Sequence, residues 1–200
     1  MGDTKERILL TALELFARKG YEAVSVSDIT GALRMTKGAL YRHYESKQAI
    51  LAAILARMEQ RDREQARGHD LPEETREQDE AAYEQTSLAD LAAFSRAMFR
   101  YWTEDPFAAS FRRMLTLEQY RSEEMGRLYQ QYLAAGPMGY VADLFRSLGI
   151  PDPDRWAASL YGPMFLLYSV YDGAQDKGAV TALLDDHMDK ITRELTGENK

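Results

Sequence analysis

The chain has no cysteine among its 200 residues, which excludes disulfides and thiolate-held zinc and suits a reducing compartment. It also lacks a long apolar run. The most apolar stretch, residues 161–171, is broken and far shorter than the roughly 20 residues a spanning helix needs. The N-terminus carries Asp3, Lys5, Glu6 and Arg7 with no unbroken apolar core behind them, so no signal peptide is read. The expected location is cytoplasmic, with no membrane partner. Histidine is scarce: His43, His69 and His187 are scattered and share no metal-ligand spacing with Asp or Glu. No glycine loop is built to cradle phosphate, since Gly136-Pro137-Met138-Gly139 reads as a helix break. The acid pairs Glu123-Glu124 and Asp185-Asp186 are adjacent, so on a helix they point apart and suit a wet face. Catalysis therefore has little support, no cofactor or metal is implied, and an enzyme on a helical scaffold is a remote alternative. Neither a strand pattern nor an internal repeat is found.

What the chain does have is concentrated at its start. Thr4 to Lys19 is amphipathic, with Ile8, Ala12, Leu15 and Phe16 at helical spacing, and Gly20 supplies a C-terminal stop onto which Tyr21 can fold back against Phe16. Ser25 and Asp28 form a capping-box-like start to a short helix running to about Leu33. Thr36 caps a second short helix carrying Lys37 to His43. In it Leu40 and Tyr44, four apart, share the core face, while Lys37, Tyr41 and Arg42 fall on the other side. Ser46 caps the next helix, whose first turn holds Lys47. Two short helices joined by a tight turn can lay one helix in the DNA major groove.

These residues resemble a known family. The runs ILLTALELFARKGYEAVSVSDIT and TKGALYRHYESK, followed by the apolar run after Lys47, are similar in order and spacing to the N-terminal domain of the TetR/AcrR family of bacterial transcription regulators. The resemblance covers residues 4 to about 55. It implies an all-α homodimer: a three-helix helix-turn-helix head on a larger helical domain that binds a small molecule and dimerises. One position departs. Arg34 stands where the family commonly has Gly in the turn before the second short helix, so either Arg34 takes a strained positive φ or the turn has another shape.

Net charge is −7, unhelpful for nucleic acid, but through Lys47 there are eight basic against six acidic residues, a net +2 that leaves −9 for the rest. The body would repel DNA and leave the head as its docking surface. The candidate DNA contacts are Ser25, Thr36, Lys37, Ala39, Tyr41, Arg42, His43 and Lys47: small, basic or aromatic groups of the kind that meet phosphates, thymine methyls and guanine edges.

The division expected is residues 1–47 as the DNA-binding domain and 48–200 as the effector-binding and dimerisation domain, with the acidic stretch 69–87 as a linker or loop, or in part a solvated helix. Helices are expected from Lys47 to about Arg67, from Leu88 to Trp102, from Phe107 to about Tyr120, and from Glu123 to Leu148 with an interruption at Gly136-Pro137. The last pair runs from about Pro153 to Tyr171 and from about Gly178 to Leu195. The middle helices are rich in rings and methionines that suit adaptable binding of an apolar or aromatic effector: Phe94, Met98, Trp102, Phe111, Met114, Tyr129, Tyr132, Tyr140, Met164 and Tyr168. For any one of them ordinary core packing competes with that role. The last two helices carry the stripes Trp156, Leu160, Pro163, Met164, Leu167, Tyr171 and Val180, Leu183, Leu184, His187, Met188, Ile191, Leu195, of which Trp156, Leu160, Leu167, Tyr171, Val180, Leu184, His187, Met188 and Ile191 are the candidate dimer contacts. By resemblance they meet a symmetry mate in a four-helix bundle; the alternative is burial within one subunit. A two-fold dimer sets two reading helices about one turn of DNA (~34 Å) apart, as a palindromic operator requires. The expected function is a ligand-responsive regulator binding a double-stranded operator, foremost a repressor released by its effector. The alternatives are an activator or a ligand-independent DNA binder.

Overall fold

A computed structural model describes residues 2–68, 72 and 80–197. Every regular element among them is an α-helix: α1 Gly2–Lys19, α2 Val26–Leu33, α3 Lys37–Tyr41, α4 Lys47–Arg67, α5 Glu80–Gln85, α6 Leu88–Glu104, α7 Pro106–Glu118, α8 Glu123–Leu133, α9 Ala135–Ser147, α10 Pro153–Gly173 and α11 Lys177–Thr196. They form two compact units. The first comprises residues 1–62 and 105–129, the second 63–104 and 130–200. This boundary is not the sequence division at residue 47: α4 through Asp62, all of α7 and α8 through Tyr129 belong with the head.

In the first unit, α1 buries Ile8, Leu9, Ala12, Leu13 and Phe16 along one face and packs most extensively on α7. It stops at Gly20, whose φ is +85° and whose N–H donates to the Phe16 carbonyl at 2.9 Å. Tyr21 then meets Phe16 edge-on at 5.0 Å. Gly20 is required twice over. Its φ strains any L side chain, and a Cβ there would lie 2.2 Å from Oε1 of Glu118, a carboxylate buried to 1% exposure at the end of α7. Between α4 and α7, Arg57 and Arg61 lie over the Phe107 ring at 5.5 and 5.1 Å. Arg57 grips both carboxylate oxygens of Glu6 and Arg61 pairs with Asp105 at 2.7 Å. Asp105 also caps α7 by accepting from Phe107 and Ala108 N–H. The Arg57 guanidinium holds the Glu6 carboxyl below the usual carboxylate range.

Asp62 on α4, where the first segment of this unit ends, has Oδ1 sealed from solvent with no hydrogen-bond partner. Burial, and secondly the charge of Glu59, push its carboxyl up to about 7. In the unfolded chain the group titrates near 3.8. Between these values the folded state binds the extra proton, so stability falls as pH rises from about 4 to about 7. Asp62→Asn removes that dependence. Its advantage over the parent in chemical denaturation is expected to grow by about 2 kcal/mol between pH 5 and pH 8, and an advantage independent of pH would refute the assignment.

In the second unit, α10 packs against α9, α11 and α6, and α11 against α6. The core is aromatic: Phe99 stacks on Tyr168 at 5.5 Å and meets Tyr171 edge-on at 5.9 Å, and the buried Tyr161 donates to the Leu133 carbonyl at 2.8 Å. Arg96 on α6 reaches Asp185 at 3.1 Å and Asp189 at 2.5 Å on α11. The expected break after α8 falls at Ala134, two residues before Gly136. Gly136 serves a close approach instead, since a Cβ there would lie 2.0 Å from the Gln131 carbonyl oxygen. Within 69–87, expected as a linker or loop or in part a solvated helix, the helix among the described residues is not wholly solvated. Residues 80–85 are helical, and Tyr83 and Thr86 are buried, Tyr83 meeting Tyr140 edge-on at 5.9 Å. Residues 69–71 and 73–79, with His69, lie outside the described residues. No described helix is long and apolar enough to cross a membrane.

Candidate nucleic-acid interface

Helices α2 and α3 are held by local bonds that their sequence encodes. Both limbs of the capping box form: the Asp28 N–H donates to Ser25 Oγ at 3.1 Å and the Ser25 N–H to Asp28 Oδ2 at 2.8 Å. The Ser25 hydroxyl, donating to Asp28 Oδ2 at 2.5 Å, and then the Ser25 N–H hold the Asp28 carboxyl below its usual range. Arg34 ends α2 in the left-handed conformation, φ 53° and ψ 44°. The Arg34 N–H donates to Gly31 O at 3.2 Å and the Met35 N–H to Thr30 O at 3.0 Å, the paired bonds of a Schellman stop. Arginine therefore takes the strain that glycine would escape. Arg34→Gly is expected to raise stability by about 0.5–1 kcal/mol and the thermal midpoint by a few degrees; a lower midpoint would refute it.

Thr36 caps α3 by accepting the Ala39 N–H at 3.2 Å. The helix ends at Tyr41, two residues earlier than its pattern predicts, and closes with a turn in which His43 and Tyr44 N–H both donate to Leu40 O. Leu40 and Tyr44 are buried in the core, as expected. Lys37, Tyr41 and Arg42 face solvent, with Tyr41 49% exposed despite its ring. Thr36 is exposed and Ala39 half-buried.

Three expected contacts sit differently. Ser25 is exposed, but its hydroxyl is taken up by Asp28. His43 is half-buried and lines a groove with Lys5, Leu9, Tyr44, Ala53 and Arg57, away from the outward group of α3. Lys47 turns its ammonium inward: Nζ donates to the Tyr21 carbonyl at 2.8 Å, lies 3.5 Å from that of Glu22, and sits 4.2 Å from the centre of the Tyr21 ring.

The ring and methionine set is divided between the two units. Phe111, Met114 and Tyr129 are buried in the first unit, and the other seven belong to the second. There Phe94 meets Tyr140 at 6.2 Å, and Tyr140 donates to the Pro72 carbonyl at 3.0 Å. Burial moves the Tyr140 hydroxyl well above the usual phenol range. Phe99, the ring under Tyr168, and Tyr83 were not in the expected set. Among the described residues no three His, Asp or Glu side chains are placed to hold a metal.

The stripes expected at the dimer differ in burial. Leu160, Tyr171, Val180, Leu184, Met188 and Ile191 are buried within the subunit, Trp156 and Leu167 half-buried, and His187 Nε2 lies 3.2 Å from the Leu160 carbonyl. Of the expected stripes Leu183 on α11 is a largely exposed apolar side chain, and Phe165, Leu166 and Val170 on α10, which were not in them, also face out. On α10 the exposed Gly162, Leu166, Ser169, Val170 and Gly173 recur at helical spacing, a line of small and branched residues that lets a second helix approach closely.

Residues 8–54 match the family model of bacterial regulatory proteins, tetR family. Over 51 residues the chain is 43% identical to the uncharacterized HTH-type transcriptional regulator YerO of Bacillus subtilis, a match covering 26% of this chain and 18% of that protein. Over 46 residues it is 37% identical to the biofilm operon icaADBC HTH-type negative transcriptional regulator IcaR of Staphylococcus epidermidis, covering 23% and 25%. The chain thus spans a quarter or less of the length of these curated relatives. Along nearly its whole length it shares the fold of a TerR/AcrR-family transcriptional regulator from Aquifex aeolicus (TM-score 0.65, 20% identity, 94% and 99% of the two chains) and of SmeT in its complex with triclosan (TM-score 0.61, 18% identity, 94% and 91%). The matched proteins are transcription regulators, not enzymes. Residues 8–54 thus carry the N-terminal domain of the tetR family of bacterial regulatory proteins, and the chain as a whole has the fold of the TetR-type regulators it is similar to.

Proposed function

We propose that the protein is a dimeric repressor that reads a palindromic operator through α3 and releases it when a small apolar or aromatic molecule binds the helical body. The observation that carries the reading is the outward group of α3. A large ring and two cations, Tyr41, Lys37 and Arg42, stand exposed on a helix whose other face is locked into the core by Leu40 and Tyr44. An exposed aromatic flanked by cations suits a polyanion with apolar base edges better than it suits water. The similarity to a negative regulator favours repression, and the fold shared with a triclosan-binding regulator favours an apolar effector. The second copy would cover Leu166, Val170 and Leu183. Effector binding would act by preferring a conformation of the body incompatible with both heads engaging DNA, transmitted along α4, which runs from one compact unit into the other.

The test is selection of bound fragments from the source genome by the purified chain, followed by release of the recovered duplex by compounds chosen from the chemistry of the neighbouring gene products. Enrichment of an inverted repeat whose half-sites lie one helical turn apart is expected. Recovery of no preferred sequence would end the DNA reading, and an operator complex indifferent to every such compound would end the effector reading.

A further inference from the structure

Lys47 is the first residue of α4, the least favourable place on that helix for a cation, because the free N–H groups there carry partial positive charge. Its ammonium is not left to solvent. It crosses 26 positions in sequence to the turn after α1, where the Tyr21 carbonyl accepts a hydrogen bond at 2.8 Å, the Glu22 carbonyl stands at 3.5 Å and the Tyr21 ring lies 4.2 Å below. These carbonyls sit just past the C-terminus of α1, the end of a helix that attracts cations. The ring adds a cation–π contact and is itself fixed against Phe16. Residues 22–46, which contain all of α2 and α3, are therefore a loop whose two ends are tied by one side chain.

The same device occurs a second time. Lys177, the first residue of α11, donates to the carbonyl of Tyr171 at the end of α10, lies 3.3 Å from that of Asp172, and covers the Tyr171 ring at 4.5 Å. That site belongs to the second unit, where no contact with DNA is proposed. The arrangement thus needs no nucleic acid to explain it.

We infer that Lys47 is a positioning residue, a non-covalent staple that fixes where α2 and α3 emerge from the head, and not a phosphate contact. The inference rests on the operator-binding reading for its consequence, but not for its geometry. Lys47→Met keeps the aliphatic stem and removes the charge and donors. In the full-length protein free of DNA, amide exchange of Tyr21 to Ser25 is expected to accelerate at least tenfold in Lys47→Met and to stay unchanged in Lys37→Ala. Unaltered exchange in Lys47→Met would overturn the inference even if the protein bound no DNA. On the operator duplex, Lys47→Met is expected to lose at least tenfold in affinity while the slope of log affinity against log salt stays at the parent value. Each phosphate contact removed lowers that slope by about 0.9, so a drop of that size, or an unchanged affinity, would overturn it. Should Lys47→Met fail to fold, Lys47→Arg carries the same reading: it keeps the charge that a phosphate contact needs and misfits the tyrosine clasp. Weakened binding with faster exchange at Tyr21 to Ser25 then supports the staple, and parental values for both refute it.

Discussion

Replacing Leu166 and Leu183 together by glutamate is expected to leave each subunit folded, convert the dimer to monomers and reduce operator affinity at least a hundredfold. Both side chains are largely exposed, 63% and 57%, so within one subunit the substitutions meet water and cost little. Across a two-fold axis the same patch meets itself. Four carboxylates, two from each copy, would then face apolar surface and one another without partners, each costing several kcal/mol of association. Loss of the dimer removes the linkage of two heads, and with it the effective concentration by which the second half-site is bound once the first is engaged, a factor of about 10²–10⁴. Sedimentation of the variant at micromolar concentration checks the first claim and titration of the operator duplex the second. A variant that still sediments as a dimer would place the interface elsewhere. Leu184→Glu is a useful contrast: Leu184 is 1% exposed, so that change is expected to unfold the subunit.

The difference between these two leucines shows where the sequence speaks clearly and where it does not. Helical periodicity marks Leu184, Met188 and Ile191 as one apolar face of α11, and all three are buried, but a buried face reads the same whether its partner is a neighbouring helix or a second chain. The outward line Gly162, Leu166, Ser169, Val170, Gly173 is mixed in polarity, so a search for apolar stripes passes over it, although its small residues at helical spacing were a usable signal. Local chemistry was more legible. The capping box at Ser25 and Asp28, the Gly20 stop with Tyr21 folded on Phe16, and the strained turn at Arg34 all depend on residues within six positions of one another, where spacing nearly dictates geometry. Lys47 fails that condition. Its partner is 26 residues away, and a lysine at a helix start looks the same on paper whether it reaches for a phosphate or for a carbonyl. Tyr83 was hidden by its neighbours: the acidic residues preceding it lower the local hydropathy, but a single ring packed on Tyr140 is enough to draw residues 80–85 into a helix on the core.

Tyr41→Ala is expected to lower operator affinity by about 10- to 100-fold, some 1–3 kcal/mol, with no change in the thermal midpoint. The two halves of that statement come from the two faces of α3. Tyr41 projects outward and contributes nothing to the core, whereas its neighbour Leu40 is wholly buried; Leu40→Ala would be expected to cost 2–5 kcal/mol of stability by opening a cavity. A loss of affinity in Tyr41→Ala without loss of stability therefore isolates a contact with the ligand from a contribution to the fold. Salt then sorts the contacts on the same helix. The phenol carries no charge, so Tyr41→Ala is expected to leave the salt dependence of binding unaltered. Lys37→Ala and Arg42→Ala are each expected to reduce its slope by about 0.9, with effects on affinity that vary little from one sequence to another. If Tyr41→Ala bound the operator as tightly as the parent, the exposed ring would be incidental and α3 would not be the element that reads DNA. If it bound weakly but melted early, the ring would be holding the head together. Full stability, weakened binding and an unchanged salt slope are the one combination that places an aromatic side chain against base edges in the groove.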